Sequence, residues 1–575
     1  MKRSVILVLL FVCSFSFSNA QIHKSNSQVC DALFTGRGEI YFRFKLNDPA
    51  DIHRLTRIIS IDNVKNGEVY AYASKKEFLD FLDMNYPYQV MQHPGTLIPA
   101  NELLPGQHTG DSPETTWNFY PTYQQYLSYM SGFVSAHPDI CRLDTVGTTV
   151  QGRLILVLKI SDSVNLSQAE PQLLYTSSIH GDETTGYVLM LHLIDYLLSG
   201  YGTDARITDM INNTEIFINP LANPDGTYHG GDNTVYGATR YNANNIDLNR
   251  NFPDPKVGPH PDGNAWQPET QAWMAFSDNH HISMSLNFHG GSEVFNYPWD
   301  TWSKFTADDV WWQFVAREYV DTVHVYGPSG YLTDENNGIT DGYAWYEVNG
   351  GRQDYMNYWH SCREATLEIS AVKTPPTSQL PSFWNYNYRS FLNYIDQVHY
   401  GFSGVVTDTV TGEPVAAQVF IFGHDVDNSQ VYSTLPAGFY SRHIADGNYS
   451  VSFSAPGYFS KSVKNVNVTK WNNVPINVQL RPLTYGINES VIRTTLIYPN
   501  PNMGSCTMIL PELLNAPATY AVINNLGKTV VSGIIPASAR EVKITGSNLQ
   551  PGLYVCKINC GARVYLDKMM VSVNR

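Results

Sequence analysis

Basic residues are in short supply in this 575-residue sequence: 37 Lys and Arg stand against 52 Asp and Glu, a formal net charge of −15. Nucleic acid is thereby excluded as the main partner, because gripping phosphates needs a basic surface that releases counterions. Cysteine is sparse as well, seven in all. None lies in a Cys-x-x-Cys pair, so neither thiol redox chemistry nor a cysteine-ligated zinc is expected. No Gly-x-Ser-x-Gly turn is present, which disfavours a serine hydrolase of that kind. Past residue 20 no run of about 18 apolar residues could span a bilayer. What the chain does hold is 43% apolar residues, enough for several buried cores, so disorder is excluded as its dominant state. At about 100–200 residues per domain the length allows roughly three to five domains.

Residues 1–20 carry Lys2 and Arg3, an apolar stretch from Val5 to Phe17, and small residues in Ser18-Asn19-Ala20. This is the charge, length and exit pattern of a signal peptide. The mature chain is expected to begin near Gln21, with a net charge of −17 once those two basic residues are gone. Cys13 goes with them. The six that remain, Cys30, Cys141, Cys362, Cys506, Cys556 and Cys560, are scattered. An even count outside the cytosol permits disulfides without indicating a pairing.

Four segments follow. Residues 21–112 mix an alternating run at 39–46 with an amphipathic one at 76–86, and form a small N-terminal domain and candidate propeptide; the polar stretch 105–116 reads as a linker. Residues 113–400 alternate strand-like and helix-like runs, the mark of an α/β domain. Strands are predicted at 172–179, 215–219, 282–288 and 365–370, and helices at 188–198, 268–280, 308–321 and 382–399. From 401 the grammar becomes short alternating runs broken by Gly, Pro, Asn and Asp, predicting two β-sandwich modules, 401–483 and 484–575.

The chemistry-bearing residues sit on the turns that leave those strands. In Ser-Ser-Ile-His-Gly-Asp-Glu (177–183), His180 and Glu183 are three apart where a strand gives way to a helix, a spacing that lets an imidazole and a carboxylate face one ion. Alone it equally describes a helix N-terminus with a favourable acid. His289 follows an apolar strand and begins a Gly-Gly turn, where it can complete a two-His, one-carboxylate set with a position left open for water. His280 and His281 have no partner carboxylate and read as structural. Arg240, Asn249 and Arg250 lie in an Asn-rich stretch suited either to gripping a carboxylate or to being a solvated loop. Glu368 alternates with Leu367 and Ile369, which turns it away from the core and free to take a proton from water.

These segments, in this order and spacing, resemble the zinc metallocarboxypeptidases of the funnelin type, in particular the carboxypeptidase N/E/D branch, over roughly 113–483. The resemblance implies a mixed-sheet catalytic domain holding one zinc ion on His180, Glu183 and His289. It implies Asp247 as the carboxylate that orients the first histidine, and Asn249, Arg250 and Tyr346 as the grip on a substrate's free carboxylate. It further implies Arg240 as the stabiliser of the developing oxyanion and Glu368 as the acid–base catalyst. Asp300 and Gln353 match the pocket that receives a basic C-terminal residue in that branch, so release of Lys or Arg is expected. Arg352 departs from the branch, and the direction of its guanidinium decides whether Asp300 stays free. Residues 402–483 look like a transthyretin-like domain. The last module, with Tyr-Pro-Asn-Pro-Asn (498–502), resembles the C-terminal sorting domain of the type IX secretion system, implying engagement of that machinery and a secreted or surface location on a bacterium with an outer membrane. Peptide or protein C-termini are the expected substrates. A zinc amidohydrolase acting on cell-wall peptides and a non-catalytic peptide-binding surface protein are the alternatives.

Overall fold

The computed structural model describes residues 26–34, 36–104, 117–483, 495–546, 549–561 and 563–572. The expected signal peptide, the stretch 105–116 and the start of the last module lie outside them. The chain divides into two compact units, one ending at Pro482 and one beginning at Leu483.

The first unit opens with a four-stranded antiparallel sheet made of β1 (Glu39–Lys45), β2 (Ser60–Lys65), β3 (Glu68–Ser74) and β4 (Tyr88–Val90), in the order β2-β3-β1-β4. Strict alternation in β1 turns Ile40, Phe42 and Phe44 into a core with Phe78 and Phe81 of the helix Lys75–Leu82. That helix starts on a reciprocal cap, Ser74 accepting from the Glu77 backbone N–H and the Glu77 carboxylate accepting from that of Ser74.

An eight-stranded mixed sheet follows, built from β5 (Cys141–Thr148), β6 (Leu154–Ile160), β7 (Gln172–Ser177), β8 (Glu215–Asn219), β9 (Ile282–His289), β10 (Glu293–Tyr297), β11 (Ile339–Asp341) and β12 (Arg363–Ile369). Its order is β11-β10-β12-β9-β7-β8-β6-β5, and β12, β9, β7 and β8 run parallel. Parallel strands are covered on both faces, which is why β7 and β8 are near-continuous buried runs. Leu173 and Tyr175 enter a large core with the helices Thr185–Gly200, Asp309–Tyr326 and Leu380–Gln397, while Leu174 enters a second core with Phe217, Trp273 and Phe276 on the opposite face. The helix read at 308–321 runs on to Tyr326 because Val320 and Val323 extend its buried stripe.

Between Gly401 and Pro482, sheets of five and four strands enclose Phe402, Val419, Val451 and Leu480. This module is joined to the mixed sheet by a buried ion network. Asp308 accepts from Arg363 at 2.7 Å and from Arg442 at 3.0 Å, and Arg442 also reaches Asp425 at 2.6 Å. The second unit is again two-sheeted, three and four strands around Met508, Val522, Ile558 and Met569. The expected fold class holds: an α/β mixed-sheet domain, a small α+β domain before it and two β-sandwiches after it. All six described cysteines are free. Among the described residues no helix is long and apolar enough to cross a membrane.

Candidate metal centre and substrate cleft

The central strands β7, β9 and β12 have their C-terminal ends together along one rim of the sheet, the place where parallel sheets gather ligands. The register pairs Ser177 with Phe288 and Glu368 with His289, so His289 and Glu368 close adjacent strands side by side. The turn after β7 supplies His180 and Glu183. Ser178 takes a left-handed φ of 59° there and donates its hydroxyl to the Glu183 carbonyl at 2.7 Å. A Cβ on Gly181 would lie 2.3 Å from the Gly226 carbonyl carbon, so only glycine lets the turn pass so close.

Three donors converge. His180 Nδ1 is 3.0 Å from Glu183 Oε1, His289 Nδ1 is 2.9 Å from Glu183 Oε2, and the two Nδ1 atoms are 3.1 Å apart. The other nitrogen of His180 is 3.1 Å from Asp247 Oδ1, an arrangement that fixes the tautomer and turns the Nδ1 lone pair inward. Asn287 lies 2.9 Å from His289 Nε2. Two imidazoles and a carboxylate, buried and facing one point, are the donor chemistry of a zinc site with an open position. Burial alone would raise the Glu183 pKa, but His180, Lys373 and His289 hold it well below the usual range. Burial lowers His289 to about 4, keeping it neutral as a ligand must be. Glu368 goes the other way, raised well above the usual range by burial and by the Glu183 charge.

A second acidic cluster, Glu39, His93 and Asp182, is a clamp and not a comparable site. Glu39 is filled by His93 Nε2 at 2.8 Å and by the backbone N–H groups of Arg240 and Tyr241 at 2.7 and 2.9 Å, which seats the N-terminal sheet on the Arg240 loop.

Of the eleven residues singled out from sequence, eight line one cavity of about 30 Å³: His180, Arg240, Asn249, Arg250, His289, Asp300, Tyr346 and Glu368. Glu183 and Asp247 touch it through His180, and Gln353 through Asp300. That space is about one water's share of liquid. It is small because β2 lies across it. Arg250 donates to the Ile61 carbonyl at 2.9 Å, and the Tyr346 hydroxyl to that of Asp62 at 3.4 Å. Arg240 donates to Ser60 at 3.0 Å, to Asp62 at 3.3 Å and to Asp247 at 2.9 Å. A larger cavity of about 510 Å³ opens on another side of β2 and also reaches Asp247 and Arg250.

Asp300 is buried, and its Oδ1 accepts amide hydrogens from Gln353 and Asn296, each at 3.0 Å. A Cβ on Gly342 would sit 1.8 Å from that oxygen, so the pocket wall must be glycine. Burial raises the Asp300 pKa to about 7. The Arg352 guanidinium turns away from it, paired with Glu364 at 2.9 and 2.8 Å and lying over the Trp273 ring. Sequence reasoning missed Lys373, whose Nζ is 2.6 Å from Glu183 and 2.7 Å from Asp62. The one available signal was a lone cation five residues past Glu368. Nothing in the sequence pointed to Ser60, Ile61 or Asp62.

Residues 126–390 match the family model described as zinc carboxypeptidase, 401–481 that of a carboxypeptidase regulatory-like domain, and 496–572 that of a secretion system C-terminal sorting domain. Carboxypeptidase D of Rattus norvegicus is 34% identical over 418 residues, 69% of this chain and 29% of the relative. Carboxypeptidase M of Mus musculus is 35% identical over 355 residues, 59% of this chain and 78% of the relative. The chain therefore spans less than a third of the length of the carboxypeptidase D relative. A solved structure, carboxypeptidase A from Helicoverpa armigera, aligns with a TM-score of 0.49 at 17% identity, covering 62% of this chain and 97% of that one.

Proposed function

Because this chain belongs to the zinc carboxypeptidase family, we propose that it is an exported exopeptidase that hydrolyses the C-terminal peptide bond of peptides and releases Lys or Arg. The observation that carries the reading is the convergence of His180, Glu183 and His289 beside Glu368 and within one cavity of the Arg250 grip.

His180, Glu183 and His289 would hold a zinc ion, which when bound would supply Lewis-acid polarisation of the scissile carbonyl. Asp247 keeps the His180 ring in place. Arg250, with Asn249 and Tyr346, holds the substrate's free carboxylate, which an internal peptide bond does not offer. Glu368 Oε2 is buried with no hydrogen-bond partner among the described residues. It takes a proton from the attacking water and passes it to the leaving amine. Arg240 stabilises the oxyanion by a charge already in position. Asp300 and Gln353 receive the basic side chain, and the Arg352–Glu364 pair supports that assignment because it leaves Asp300 without a competing cation.

Residues 21–112 act as a propeptide on this reading, since β2 takes up Arg250 and Arg240 and a peptide C-terminus must displace it. The sorting-domain match at 496–572 supports passage through a bacterial outer membrane with release or retention at the surface.

The test is hydrolysis of two blocked dipeptides, ending in Arg or in Phe, by the chain freed of its N-terminal segment, with and without chelator and with Glu368→Gln. Release of Arg alone, lost in both controls, is expected. Release of Phe alone would overturn the pocket assignment, and cleavage of neither by zinc-loaded protein would overturn the exopeptidase.

A further inference from the structure

From the N-terminal sheet Asp62 reaches into the cleft, where a pair of cations holds it. Asp62 Oδ1 lies 2.7 Å from Lys373 Nζ and 3.3 Å from Arg240 Nη1, and its Oδ2 accepts from the Tyr41 hydroxyl at 3.2 Å. Both cationic side chains are nearly sealed from solvent, at 4% and 3% exposure. The Lys373 ammonium is satisfied by Asp62, by Glu183 at 2.6 Å and by the Gly290 carbonyl at 2.8 Å. Glu183 is already shared with Arg240 and both histidines, and Arg240 leans on Asp247. Without Asp62, two buried cations compete for carboxylates that are already engaged, and a buried cation with an unfilled donor direction demands an anion.

The position of this pair relative to Arg250 says what would bring that anion. Ile61 presents its carbonyl to Arg250, and the next residue of the same extended strand presents its carboxylate to Lys373 and Arg240. Adjacent residues of a strand therefore bridge the carboxylate grip and the cation pair, about 3.3 Å of chain per residue. Lys373 touches Glu183 and the Gly290 backbone and none of the Asp300 pocket.

We propose that Lys373 and Arg240 form an anion subsite, separate from the Arg250 grip, which Asp62 occupies as an internal ligand and which accepts the side-chain carboxylate of an Asp or Glu just before the substrate's C-terminal residue. This rests on the exopeptidase reading only for the direction in which the peptide lies. The consequence is a selectivity for acidic-then-basic peptide termini, set by two cationic side chains that both reach Glu183 Oε1.

Binding tests it without turnover. The full chain carrying Glu368→Gln and Asp62→Ala is titrated calorimetrically with acetyl-Glu-Arg and acetyl-Gln-Arg. A charge-assisted contact predicts that the first binds about tenfold or more tightly than the second. Adding Lys373→Met abolishes the difference, Lys373→Arg retains it, and Arg250→Met weakens both peptides while leaving the ratio. With Asp62 restored, both bind at least about tenfold more weakly, because the internal carboxylate must first leave. Equal binding of the two peptides, or a preference that survives Lys373→Met, overturns the subsite. If Lys373→Met does not fold, loss of the preference in Lys373→Arg takes its place as the overturning result. A Glu preference without hydrolysis by the Glu368 chain would keep the subsite and sink the exopeptidase; hydrolysis without the preference would do the reverse.

Discussion

Replacing Asp300 by Asn should improve stability and damage activity, and both effects follow from one buried carboxylate. Burial moves its pKa from 3.8 to about 7. The folded chain thus holds this proton over a range where the unfolded chain has lost it, so stability falls as pH rises from about 4 to about 7 and stays lowered above that. Three units at about 1.4 kcal/mol each set a ceiling of about 4 kcal/mol, which the amide donors of Gln353 and Asn296 at 3.0 Å already moderate. Asp300→Asn removes that cost at pH 8 and nothing at pH 4. For activity the sign reverses, because an ionised Asp300 attracts a guanidinium. Loss of a charge-assisted contact of about 1.5–3 kcal/mol lowers kcat/KM for the Arg-ending peptide roughly 10- to 150-fold. The Phe-ending peptide is spared. The ratio of the parent enzyme's kcat/KM for the Arg peptide to that for the Phe peptide also falls as pH drops through about 7, whereas the protonation of Glu368 acts on both peptides alike; in the variant the ratio does not change through that range. Calorimetric scans of both proteins at pH 4 and 8, with kinetics on the two peptides, decide the matter. A stability difference that does not change with pH, or an equal loss on both peptides, refutes the reasoning.

Three more outcomes are expected. Asp308→Ala leaves the buried Arg363 and Arg442 guanidiniums uncompensated and should cost about 3–5 kcal/mol in denaturant unfolding. Burial opposes the Asp308 charge, but Arg442 and Arg363 outweigh it and hold the carboxyl well below its usual range, so this contribution is present above about pH 4 and lost in strong acid; an unchanged midpoint would deny the network its role. Gly342→Ala places a methyl 1.8 Å from Asp300 Oδ1 and should cost about 1–3 kcal/mol while raising KM for the Arg peptide more than for Phe; equal effects on both would remove Gly342 from the pocket wall. Glu368→Gln should lower kcat by about 10²–10⁴ with zinc content unchanged by metal analysis; loss of the metal instead would reassign the residue.

Much of the scaffold was legible because its causes are local. β8 was readable at its full length, 215–219, since its apolar centre, Ile216-Phe217-Ile218, with residues buried on both faces, is the pattern of a parallel strand covered on both sides. The helix from Thr185 was seen to stop at Gly200, where apolar residues at helical spacing end. The convergence of His180, Glu183 and His289 was anticipated from one tight turn and one strand end, features whose geometry a few neighbouring residues determine. The extension of the helix past 321 was missed because Val323 belongs to its stripe only once the partner face is known.

The sequence by itself determined which donor atoms exist and how they are spaced along each strand and turn. Those are matters of covalent reach, 3.3 Å per strand residue and one turn's worth of backbone. The tertiary structure alone decided where the long cations point. Arg352 could have reached Asp300 and instead pairs with Glu364, and Lys373 turns back past Glu183 to Asp62, 311 positions earlier in the chain. A flexible cationic side chain settles on whichever buried carboxylate packing brings within hydrogen-bond range, and no periodicity in sequence encodes that choice. The same holds for β2: its residues 60–65, Ser-Ile-Asp-Asn-Val-Lys, carry no clear alternation, and only the docking of the N-terminal sheet over the ends of the mixed sheet's strands turns Ile61 and Asp62 into occupants of the cleft.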